Sequence, residues 1–135
     1  YYVLDVVRGQ WSTYERENVI RATADMDAVR WPGTAVWIEQ EPGSGGADSA
    51  RATIRNLAGY AVYAERPSGN KTLRAEPFAA QCEAGNVRLL RERWNRAYID
   101  ELCAFAGGRN DDQVDASSGA FNKLSTRRRA TSWQG

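Results

Sequence analysis

The stretch GTAVWIEQEPGSGG, residues 33–46, decides the fold. Its core, TAVWIEQ, is a short and nearly continuous apolar run between turn residues, the pattern of a strand covered on both faces. Alternation sets Trp37, Glu39 and Glu41 on one side and Val36, Ile38 and Gln40 on the other. A carboxylate at the end of a buried strand is costly unless it is wet or paired with an arginine. In open α/β sheets, however, the carboxyl ends of strands are where ligands bind, and Glu39 and the glycine-rich loop EPGSGGADSA fall there.

Outward from this strand, helical and extended patterns alternate. Upstream, YYVLDVVRG (1–9) reads as a β-branched and aromatic strand. Ser12 or Thr13 then caps a helix with apolar positions at Val19, Ile20, Ala24 and Met26, broken at WPGT. Downstream, ADSARATIRNLAGY predicts a helix closed by Gly59, and YAVYAE a strand. LRAEPFAAQCEAG reads as a helix ending at Gly85, NVRLL as a strand, and NRAYIDELCAFAGG as a helix with a glycine stop. The alternation predicts an α/β domain with a largely parallel central sheet. Beyond Leu124, STRRRATSWQG (residues 125–135) reads as a flexible basic tail. With a start inside a strand and no initiator methionine, the sequence reads as a fragment of a longer chain.

The 135 residues, 42% hydrophobic, suit one globular core. No stretch approaches the roughly 20 apolar residues of a membrane span, so a soluble protein without a membrane partner is expected. Cys82 and Cys103 are unpatterned and no histidine accompanies them, which argues against zinc or a disulfide framework and for free thiols in a reducing cytosol. A net charge of +1 does not announce nucleic acid. Arginines at 88, 91, 93 and 96 and at 127, 128 and 129 permit phosphate contact and equally suit a solvated face.

A second acidic group lies in GGRNDDQVDASSGAFNKL, residues 107–124. A helix opening at Asp111 or Asp112 puts Asp112 and Asp115 one turn apart on one face. Acids at a helix N-terminus cap it and favour its dipole without any further function. One cap suffices, though, and clustered acids repel one another. Such clusters are the usual setting for a divalent cation held through oxygen, and the lack of histidine favours magnesium or manganese over zinc. The small residues after Asp115 would let that helix pack closely on a sheet.

YYVLDVVRGQWS, WIEQEPGSGG, GNKTLRAEPFAAQCEAGNVRLL, WNRAYIDELCAF and NDDQVDA, in this order and at this spacing, resemble the C-terminal nuclease domain of phage terminase large subunits. The resemblance covers residues 1–124, and its specific blocks are IEQEPGS and DDQVDA. It implies an RNase H-like fold: a central mixed, largely parallel sheet flanked by helices, whose first strand, with the family's first metal-binding aspartate, lies upstream of Tyr1. Asp5 is not a convincing substitute, so a fragment starting here is expected to be inactive or weakly active.

The resemblance further implies that Glu39, Asp112 and Asp115 are the catalytic, metal-holding acids, with Glu41 as a supporting acid and Asp111 as the alternative ligand. Lys71 and Arg74 fall where the family carries basic residues that touch DNA phosphate; Lys71 also reads as an ordinary loop lysine. The implied activity is two-metal endonucleolytic cleavage of concatemeric double-stranded DNA, with Mg²⁺ or Mn²⁺, inside a packaging motor. Its implied partners are DNA, an N-terminal ATPase domain, the small terminase subunit and the portal, in the cytoplasm of a host bacterium carrying a phage or prophage. A resolvase-like nuclease of the same fold, or a non-catalytic docking module whose acids are caps and surface charges, remains the alternative.

Overall fold

The computed structural model describes residues 1–105, 107 and 110–131, with side chains as far as residue 126. Among these the elements run β1 (Tyr2–Val3), α1 (Thr13–Arg30), β2 (Val36–Glu39), α2 (Ser44–Asn56), β3 (Val62–Glu65), α3 (Lys71–Glu83), β4 (Arg88–Leu89), α4 (Asn95–Ala104) and α5 (Asp112–Thr131). All pairing is parallel: β1 with β4 (Tyr2↔Arg88, Val3↔Leu89) and β2 with β3 (Val36↔Val62 to Glu39↔Glu65). The α/β class and the parallel strands follow the sequence reading. Among the described residues the strands form two sheets of two strands each. The long β-branched run at the start contributes only two strand residues. Asp5 Oδ1 accepts the Val6 N–H at 2.8 Å, a local bond that competes with a ladder.

The contacts gather into two compact units, Gly9–Ser68 and a second made of Tyr1–Arg8 with the chain from Gly69 onward. In the Gly9–Ser68 unit, α1 begins with a capping box: Ser12 Oγ accepts the Glu15 N–H and Glu15 Oε2 accepts the Ser12 N–H. Those bonds favour the ionised form and lower the Glu15 pKa. α1 and α2 are tied by Thr53 Oγ1 and Asn56 Nδ2 donating to the Glu17 carboxylate at 2.8 and 3.1 Å, and by Arg21 Nη1 on the Asn56 carbonyl. Leu57 is wholly buried, with Ala24, Ala50 and Thr53 also in the core.

β2 is not covered on both faces as expected. Burial alternates along it, with Val36 and Ile38 half-buried and Trp37 and Glu39 exposed. The glycine loop is also shorter than its composition suggests, because α2 starts at Ser44 and takes Gly45 and Gly46 into its first turn.

In the other unit Ala75 and Phe78 of α3, Tyr98 of α4, and Val114, Ser118 and Phe121 of α5 are buried. The Phe121 ring meets Tyr1 edge-on at 4.7 Å and Phe78 at 5.9 Å. α5 therefore packs against helices α3 and α4, with Ser118 the buried one of its small residues. The α5 backbone stays helical to Thr131, past Leu124 where a tail was expected; residues 132–135, like the side chains of Arg127, Arg128 and Arg129, lie outside the described part. Cys82 and Cys103 are free thiols.

Candidate carboxylate site

Glu39 and Glu41 belong to the Gly9–Ser68 unit. Glu39 ends β2 in register with Glu65, and one step earlier Trp37 stacks on Tyr63 at 4.6 Å. Beyond the strand the chain turns at Gly43, whose φ of +91° is open to glycine at little cost, and enters α2. A cavity of about 410 Å³ lies here, lined by Glu39, Glu41, Arg16, Trp37 and Ser49 among others. Arg16 Nη2 sits 3.2 Å from Ser49 Oγ and 3.4 Å from Glu17 Oε1. Sequence reading did not single out Arg16. Its signal was its place one turn before Ile20, which lines the same cavity.

Gly46 fixes this corner by close approach. A Cβ there would stand 2.0 Å from the Glu41 carbonyl oxygen, a backbone atom that cannot swing aside as a side chain would. Gly46→Ala is expected to destabilise the protein by about 1–3 kcal/mol through overpacking, despite the better helix propensity of alanine. Thermal unfolding checks this, and an unchanged or raised Tm refutes the close approach.

Asp111, Asp112 and Asp115 belong to the other unit. Asp111 precedes α5 and its carbonyl accepts the Asp115 N–H at 2.9 Å. The two side chains converge on one cation: Lys71 Nζ lies 2.8 Å from Asp111 Oδ2 and 2.8 Å from Asp115 Oδ2. Arg74 Nη2 stands 3.6 Å from Asp115 Oδ1, while Arg74 Nη1 donates to the Gly69 carbonyl at 3.1 Å. The hydrogen bonds and charges of the two aspartates push the Lys71 pKa well above the ordinary lysine value. Asp112, the first residue of α5, is exposed. The acids that the structure gathers are thus Asp111 and Asp115, four residues apart. Lys71 is the first residue of α3 rather than a loop lysine, in a helix capped by Asn70 Oδ1 on the Thr72 N–H.

The α5 N-terminus has a cap that the sequence reading missed. Glu101 of α4, buried, accepts the Gln113 N–H through Oε1 at 2.7 Å and the Gln113 side-chain amide through Oε2. Arg8 Nη1 approaches Oε2 at 3.8 Å. A buried carboxylate on the first free amides of a helix satisfies both the donors and the dipole. The available signal was the spacing of Glu101 three residues after Tyr98, on the buried face of α4.

Residues 3–124 match the family model of the terminase RNase H-like domain. The chain belongs to this family. No curated protein and no solved structure gives a significant match. As a terminase RNase H-like domain, the chain is a nuclease-type module.

RNase H-like nucleases generally work with divalent metal ions. The acids of this terminase domain suit such ions by chemistry, since every donor in both groups is a carboxylate oxygen, the preference of Mg²⁺ and Mn²⁺. Among the described residues no three histidine, cysteine or acidic side chains are grouped closely enough to hold an ion, and the Asp111–Asp115 pair holds the Lys71 ammonium. No helix among the described residues is long and apolar enough to cross a membrane.

Proposed function

We propose that this terminase domain is a metal-dependent endonuclease that hydrolyses double-stranded DNA in a phage packaging motor. The observation that carries the reading is the family match over residues 3–124. The oxygen-only chemistry of the acids supports it. Glu39 and Asp115, with Asp112 or Asp111, are the proposed metal-holding residues, and Glu41 supports Glu39. When bound, two Mg²⁺ or Mn²⁺ ions supply an activated water and stabilise the leaving 3′ oxygen. Arg74, anchored on the Gly69 carbonyl, orients Asp115. Lys71 and Arg74 are cations available to DNA phosphates, so binding should weaken steeply with salt. The aspartate that the resemblance assigns upstream of Tyr1 is part of the same reading, as are an ATPase domain, the small terminase subunit and the portal as partners.

One observation favours a second reading. Asp111 and Asp115 already have a counter-charge in Lys71, as they would in a non-catalytic docking module. Mn²⁺-dependent nicking of supercoiled plasmid separates the two, assayed for this chain and for a form extended upstream of Tyr1. Asp115→Asn is expected to reduce nicking by about 100-fold or more, as loss of a metal ligand should. Cutting that is unchanged in Asp115→Asn removes the site assignment, and absence of cutting by either parent protein supports the docking module.

A further inference from the structure

The Lys71 contact bears on how an ion could reach the acids at all. One ammonium nitrogen lies 2.8 Å from an oxygen of each aspartate, at the place where a cation bridging the pair would have to sit. A divalent ion needs those oxygens at about 2.0–2.1 Å, and a positive charge remaining a few ångströms away would repel it strongly. The two occupants therefore exclude each other. We propose that Lys71 is a tethered counter-cation of the Asp111–Asp115 pair, and that a divalent metal enters by exchanging with its ammonium. This rests on the metal-dependent reading above and states how that site is controlled.

Two features let the Lys71 side chain move aside. Its flexible four-carbon stem is about half exposed at the start of α3, with room to swing outward. Arg74 keeps its own contact with the other oxygen of Asp115, so the carboxylate does not lose all support when Lys71 departs. The released ammonium remains beside the acids, where a DNA phosphate is a natural partner. Metal and phosphodiester should then favour each other's binding through Lys71, reciprocally.

The sequence contains only two lysines, Lys71 and Lys123, so the second serves as an internal reference. Amine acylation of the chain, with and without MnCl₂, is mapped by mass spectrometry, and Mn²⁺ binding is followed by calorimetry on the same sample and on Lys71→Met. Lys71 is expected to label at least about fivefold faster with Mn²⁺ while Lys123 is unchanged, and Lys71→Met to bind Mn²⁺ about tenfold tighter, within the usual range of coupling between two ligands. Should Lys71→Met fail to fold, the labelling of the unaltered chain decides. Mn²⁺ binding with unchanged Lys71 labelling overturns the exchange and leaves the metal reading standing. If calorimetry detects no Mn²⁺ binding to either protein, the exchange is overturned, and the nicking of the form extended upstream of Tyr1 decides the metal reading.

Discussion

Glu101→Ala is expected to lower stability by about 3 kcal/mol, a loss of roughly 10 °C in Tm for a chain of this size. The substitution removes the acceptor of both the Gln113 N–H and the Gln113 side-chain amide, in a place where both are buried. A buried donor left without a partner costs about 1–3 kcal/mol, and the lost helix cap adds about 1 kcal/mol. The Arg8 contact adds little, since the arginine is half exposed and 3.8 Å away. Glu101→Gln retains an acceptor oxygen and should cost clearly less. Urea denaturation of both variants checks the argument, and a Glu101→Ala loss below 1 kcal/mol would show that α5 does not depend on this cap.

Leu57→Ala should have a comparable effect in the Gly9–Ser68 unit. Leu57 is fully buried just after α2, its N–H bonded to the Thr53 carbonyl, so its backbone is held where the side chain cannot follow a collapse. Removing a buried leucine side chain costs about 2.7–5 kcal/mol, the larger values where the cavity stays open. A loss near 3 kcal/mol is expected here, together with faster amide exchange in α2 and β3, which share contacts beside it. A change below 1 kcal/mol would mean that this small core closes over the gap.

Much of the fold was written locally. The Ser12 and Glu15 capping box, the helix stops at Gly59 and Gly85, both with positive φ, and the strands at β2 and β3 all rest on residues within a few positions of one another. The family was legible along most of the chain, over residues 3–124.

What the sequence hid depends on distant partners. Gly45 and Gly46 suggested a loop by propensity, yet Gly46 lies in a helix where the Glu41 carbonyl leaves no room for a side chain. Lys71 meets Asp111 across 40 positions, and Glu101 meets Gln113 across 12. No periodicity connects residues on separate helices, so the acids and Lys71 could be nominated, but neither their pairing nor the Glu101 cap could.

Pro77 lies inside α3, between the turn that begins with Lys71 and the turn that carries the buried Phe78. Having no N–H, it leaves the Leu73 carbonyl four residues back without its helical rung. The turns before Pro77 are therefore held to the rest of the helix by one backbone bond fewer, and what fastens them lies outside the helix: Ala75 is buried and Asn122 Nδ2 donates to the Arg74 carbonyl at 3.2 Å. Lys71 stands ahead of both.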